Sequence, residues 1–286
     1  MRCLARIAPI LLVFGGVTIA ADVTTIKAYV DTDVCAHLML GPITQERMEL
    51  SKKAFKQGDE PVLIQLSNNS VFQVNKPKMV KELVGQLAEA TGEVKVKDAQ
   101  IKLQSVKPIE AASIPQGDAD RKLLDVRTYK MANGPALYEK VRHELAMMPY
   151  ISEYDFISFD LNGTEVILTG WTVRITNRGE AQNRIKNIEG ITSIVNNIEV
   201  LPMGRFDMNI RAGARAALQR NLSRYFWGSG SDIKIIVKDG VIILLGSVTT
   251  KADSDLAYMQ CNSVSGAFKV VNLLRVTGPT QKEKKG

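Results

Sequence analysis

From Leu137 onward the chain switches between two hydrophobic periods, and it does so twice. Leu137, Val141, Leu145 and Met148 recur at the spacing of one helix face, and Ala214, Leu218, Leu222 and Tyr225 repeat it 77 residues later. Each run gives way to a strand-like stretch, YDFISFDL or DIKIIVK. A turn follows at Asn162-Gly163 or Asp239-Gly240, residue pairs that tolerate the positive φ a tight hairpin needs. The returning strand is EVILTGWTV or VIILLGSVT. A second helix then buries Ala181, Ile185 and Ile188, or Ala257, Cys261 and Val264. Asn177 or Asp253 is the expected cap, with Glu180 at capping-box spacing in the first copy. Gly190 or Gly266 ends that helix, and SIVNNIEV or KVVNLLRV supplies a last strand. The predicted unit is α-β-β-α-β, a small sheet with its helices on one face.

The repeat is in register at an offset of 76 from Val166 to Val200, where Gly170 meets Gly246 and Val195-Asn196 meets Val271-Asn272. Upstream the offset is 77, so one residue is inserted after Gly163. Two units are therefore expected, at 132–202 and 205–278. The hairpins NG…VILTG and DGVIILLGSV, with the endings GITSIVNNIEV and GAFKVVNLLRV, resemble the BON domain family in tandem; the first copy departs from it by its longer turn, NGTEV. The resemblance spans about half the chain. It implies a bacterial envelope protein without catalysis that binds phospholipid surfaces or envelope partners.

Residues 22–108 read differently. TTIKAYV, EPVLIQLS, SVFQVN, LVGQLAEATGEVKVK and AQIKLQSV are short strands, and QERMELSKKAF is one helix. The strand order looks like a small OB-like barrel. The opening AYVDTDVCAH is also similar to small exported domains with a Tyr-x-Asp…Cys start, but the further cysteines those carry in the following helix are missing. The expected fold class is α+β: a β-rich, OB-like barrel, a polar linker at 109–131, two αββαβ sandwich domains, and a charged, disordered tail at 279–286.

The start of the chain, MRCLARIAPILLVFGGVTIAADV, has the positively charged and apolar regions of a signal peptide over 1–20, with Arg2 and Arg6 ahead of the apolar run. It predicts a periplasmic or secreted protein. Nothing later is apolar for long enough to span a membrane. Of the 286 residues, 45% are hydrophobic, and the formal charge is +7, falling to +5 without the leader. That balance mildly favours anionic partners. Outside the leader only Cys35 and Cys261 remain, too few for a disulfide framework.

Cys35 and His37, with Asp31 and Asp33 nearby, are the candidate metal ligands, but a zinc site wants about four. The simpler expectation is a surface loop with a lone thiol. Cys261 falls on the apolar stripe of its helix, so it is expected in the core; a Cys35–Cys261 bridge would need it to face another domain. With two histidines no nucleophile–base–orienter set can be assembled. There is no phosphate-cradling loop with a Lys-Ser/Thr pair. The expectation is a non-enzyme without metal or cofactor. Tyr29, Phe55 and Phe72 are the only Tyr, Phe or Trp residues of the β-rich region, too few to stack bases, so no nucleic-acid partner is expected.

Between Met203 and Arg224 stand five arginines against one acid, Asp207. Helical spacing turns Arg220 and Arg224 outward and lays Arg211 and Arg215 beside the apolar stripe. Their counterparts in the first copy, His143 and Met147, carry no fixed charge. Arg220 and Arg224, with Trp227 just beyond the helix, form the candidate site for an anionic phospholipid surface, with peripheral membrane contact at most. The alternative is an adaptor that binds other envelope proteins.

Overall fold

A computed structural model describes residues 23–38, 43, 45–67, 70–109, 136–227 and 231–278. The expected signal peptide, the linker beyond residue 109 and the tail lie outside the described residues.

Five strands close the N-terminal barrel: β1 (Val23–Thr32), β2 (Pro61–Gln65), β3 (Val71–Val74), β4 (Leu87–Lys95) and β5 (Gln100–Pro108), in the order β1-β2-β3-β5-β4. Closure rests on the length of β1. Val23–Tyr29 pair with β4 while Ala28–Thr32 pair with β2. A bulge between Thr91 and Gly92 bends β4 against β5. Gly92 is required there, since a Cβ would lie 2.3 Å from the Lys102 carbonyl oxygen. Ile26, Val30, Leu63, Phe72, Ile101 and Leu103 fill the interior. The OB-like expectation holds.

Two helices leave this barrel between β1 and β2: α1 (Asp33–Leu38) and α2 (Gln45–Lys56). The sequence pattern contains α2 but not α1. Where a surface loop with a lone thiol was expected, Val34, Cys35, Ala36 and Leu38 are buried. Six residues are too few for helical periodicity to register.

The two repeats fold as their pattern requires. The first comprises α3 (Ala136–Ala146), β6 (Phe156–Asn162), β7 (Glu165–Thr172), α4 (Ile175–Ile185), β8 (Ser193–Asn196) and β9 (Glu199–Val200). The second comprises α5 (Arg205–Leu222), β10 (Ile233–Lys238), β11 (Val241–Val248), α6 (Lys251–Asn262), β12 (Lys269–Asn272) and β13 (Arg275–Val276). In each, the middle strand pairs antiparallel with its hairpin mate and parallel with the last segment.

Two recurring residues have a visible cause. At Gly170 (φ +116°) and Gly246 (φ +97°) a Cβ would lie 2.0 Å from the carbonyl oxygen of Phe156 or Asp232. The recurring asparagine bridges the break between the last two strand segments. Asn196 accepts from Ile198 N and donates to Arg178 O; Asn272 accepts from Leu274 N and donates to Ser254 O. The caps differ from expectation. α4 starts after Arg174 without a side-chain cap, and Glu180 pairs with Arg184 instead. Thr250 caps α6: it accepts from Asp253 N at 3.1 Å and donates to Asp253 Oδ2 at 2.7 Å. Asn177 and Asp253 thus sit inside the first turn, not at its head.

The β11 run VIILL does not alternate because its sheet is covered on both faces. Ile233, Ile235, Val237, Ile242 and Leu244 lie under α5 and α6. On the other face Ile236, Ile243, Leu245, Val271 and Leu273 meet Val34, Cys35, Leu38 and Ala54 of the barrel unit and Phe156, Trp171 and Leu201 of the first repeat. Each unit keeps its own interior, and the three share this one further cluster. Backbone contacts extend it: Ile235 N donates to Glu153 O at 2.7 Å, covering the β10 edge.

Candidate functional site

The site begins with the difference between two equivalent helices. α3 has 11 residues and α5 has 18, about two turns more. Ile210, Ala214, Leu218 and Leu222 seat α5 on its sheet. Its outer face carries Arg205, Asn209, Ala212, Ala216 and Arg220, all exposed and none acidic.

The five arginines divide by what they touch. Arg211 is buried and donates to Val237 O at 2.8 Å and to Pro202 O at 3.3 Å, so its charge ties the repeats together. Arg215 pairs with Glu153. Arg224 pairs with Asp253 and lies over the Tyr225 ring, 4.8 Å from its centroid. Arg205 and Arg220 are exposed and make no ion pair among the described residues.

Beyond Leu222 the helix tightens into a 3-10 turn at Ser223–Phe226. That turn sends Tyr225 inward, where its hydroxyl donates to Asp253 Oδ2 at 2.8 Å, and leaves Trp227 outside with 75% of its surface exposed. Burial disfavours the Asp253 carboxylate, but hydrogen bonds from Thr250, Tyr225 and Arg224 outweigh it and hold its carboxyl below the usual range. Arg224 is raised in turn, chiefly by its bond to Asp253. Of the three residues singled out from sequence, Arg220 and Trp227 have no ion-pair or ring partner among the described residues, and Arg224 is exposed but partly neutralised. Its partner was missed because Asp253 lies 29 residues away on another helix.

In the helix layer of the first repeat two arginines are held by acids. Arg142 pairs with Glu139 at 3.0 Å, and Arg184 with Glu180 at 2.7 Å and Glu144 at 3.9 Å. At the far end of α5, exposed Phe206 packs against exposed Phe268 with ring centroids 5.6 Å apart.

The groups weighed as metal ligands point apart. Asp31 is buried and accepts from Arg47 Nε at 2.9 Å, Arg47 Nη2 at 2.8 Å and Ser51 Oγ at 2.6 Å. Cys35 faces the shared core, where burial pushes its thiol up. His37 Nε2 lies 3.0 Å from Gly170 O, and its ring stacks on Trp171. Among the described residues no three His, Cys, Asp or Glu side chains converge as a metal site. Cys35 and Cys261 are both free and lie on opposite faces of the second sheet, which rules out the bridge. Tyr29 and Phe72 are buried in the barrel unit, closed to stacking. No described helix is long and apolar enough to cross a membrane.

The BON domain profile matches residues 135–202 and 207–278. No curated protein matches the chain. Among solved structures it is similar to the C-terminal domain of CdsD, described as the structural protein of the type III secretion system of Chlamydia trachomatis. Identity is 9% over 51% of this chain and 99% of that one, with a TM-score of 0.21. A second CdsD structure is similar at 10% identity over 50% of this chain and 93% of that one, with a TM-score of 0.21.

Proposed function

We propose that this chain, a tandem BON domain protein behind an OB-like barrel, is a non-catalytic component of the bacterial envelope that attaches reversibly to anionic phospholipid surfaces. The observation that carries the reading is the acid-free outer face of α5, with unpaired Arg205 and Arg220 and the exposed Trp227 at its end. Each basic residue near an anionic surface contributes about 1 kcal/mol, and an indole suits the headgroup depth. Arg224 adds less, because Asp253 already balances it. The same reading sets the units at 22–108, 132–202 and 205–278 and places them in the periplasm or outside the cell.

Co-sedimentation with phosphatidylglycerol vesicles tests it. Binding is expected at low salt, weakened by added salt and by Arg220→Glu with Trp227→Ser. No binding at low salt, or binding indifferent to these substitutions, sinks the reading. The adaptor alternative draws on the exposed Phe206–Phe268 pair. It prevails if vesicles are ignored while a stoichiometric protein partner is held and then lost in Phe206→Ser.

A further inference from the structure

The corner where α3 ends and α4 begins exposes three large apolar side chains: Met147 by 60%, Tyr150 by 74% and Ile175 by 75%. The Arg174 guanidinium lies over the Tyr150 ring, 5.4 Å from its centroid, and makes no ion pair among the described residues. Asn177 Nδ2 donates to Tyr150 O at 3.5 Å, which ties the two chain segments together. Neither 146–151 nor 174–178 contains an acid, while Arg174 and Arg178 supply two cations.

The repeat gives this corner a counterpart. Met147 corresponds to Arg224, Tyr150 to Trp227, Ile175 to Lys251 and Asn177 to Asp253. At these positions one corner presents Arg224, Lys251 and an indole, and the other presents Met147, Ile175 and a phenol. The backbone differs too. Tyr150 has φ +60°, whereas Trp227 is extended at φ −98°. A bulky residue in the left-handed region costs on the order of 1 kcal/mol, and the counterpart makes the same corner without it. The strained form is the one whose exposed ring lies under an arginine.

We infer that the Met147–Tyr150–Arg174–Ile175 corner of the first repeat is a second bilayer-contacting surface, inserting apolar side chains where the second repeat offers cations. The inference rests on the lipid-binding reading above. Three exposed apolar side chains without an acid among their neighbours in sequence suit insertion among acyl chains at an anionic surface. Tyrosine and an unpaired arginine at its edge match the headgroup layer. The absence of acid suits the same anionic surface that α5 faces.

The test uses vesicles of phosphatidylethanolamine and phosphatidylglycerol and the full chain at low and high salt. In high salt the cationic contribution is screened, so the remaining binding reports insertion. The parent is expected to keep measurable binding there, and the triple variant Met147→Ser, Tyr150→Ser, Ile175→Ser to lose about tenfold or more. Tyr150→Gly should unfold at a higher temperature than the parent yet bind less, a combination that a merely structural tyrosine would not produce. An indole at position 150, introduced as Tyr150→Trp in a Trp227→Phe background, should be quenched by lipids with brominated chains. Equal binding by the parent and the triple variant, or no quenching, overturns the inference and leaves the lipid reading standing. A parent that binds no vesicle overturns both. A change of oligomeric state in the triple variant without lipid identifies the corner as a contact between copies, which also overturns it. If the triple variant does not fold, Ile175→Glu alone gives the same comparison.

Discussion

Tyr225 and Trp227 stand two residues apart and meet opposite fates, because Tyr225 lies within the 3-10 turn, facing the core, while Trp227 follows it in extended backbone. The repeat alignment was enough to place Tyr225 in the core, opposite Met148, and Cys261 opposite Ile185, and both are buried. Cys35 has no counterpart in the repeat and was misplaced on the surface. Burial pushes the Cys261 thiol up to about 12 and raises Cys35 as well. Neither is a competent nucleophile at neutral pH. Iodoacetamide should therefore leave both unmodified in the native chain and label both in denaturant, as read by intact mass. Asp31 is the residue whose loss should cost most in the barrel. It is buried with Arg47, and Asp31→Ala removes the carboxylate that pairs with that buried guanidinium, at a cost of about 3–5 kcal/mol in urea unfolding of the whole chain.

At the scale of elements, each recurring turn, glycine and asparagine was visible as a pattern before its job was known. The asparagines show what the pattern leaves out. Asn272 is buried and its amide donates to both the carbonyl and the hydroxyl of Ser254, whereas Asn196 is only partly covered. Asn272→Ala should cost about 1–3 kcal/mol and Asn196→Ala clearly less, because water can replace the exposed bonds. Equal losses in a thermal melt would contradict this account. The misjudged caps have a local reason. Thr250 and Asp253 both suit the N-terminus of α6, and α4 takes no side-chain cap at all, so residue type fixes a first turn only to within a few residues.

For the whole molecule the decisive feature is the junction of three units around one face of the second sheet. His37 from the barrel unit stacks on Trp171 of the first repeat. Glu199 accepts from the Trp171 indole at 3.1 Å and pairs with Lys238 of the second repeat at 2.8 Å. Burial lowers the His37 pKa below 6.5, outweighing the Gly170 carbonyl and Glu199. Glu199 is also disfavoured by burial, but Lys238 above all holds it below 4.5. The signs agree. The unfolded chain binds more protons at both groups, so their contribution is complete above pH 6.5. His37's share is lost as pH falls from 6.5 through its folded value, and that of Glu199 below 4.5. The unfolding midpoint should fall on acidification below neutrality, and His37→Gln should flatten the upper part of that fall. An unchanged pH profile in that variant would show that the histidine does not couple to the junction.

The sequence by itself determined the tandem αββαβ units, the barrel's strands and the outward arginines of α5. These follow from periodicity and turn chemistry within a few tens of residues, and a repeat doubles the signal. Only the tertiary structure decided that Arg224 meets Asp253, that Cys35 is interior, that VIILL is covered on both sides and that Tyr150 is held strained at an exposed corner. Those outcomes depend on which distant faces come together. That choice is set by the summed burial of many apolar side chains, which no local stretch of sequence displays.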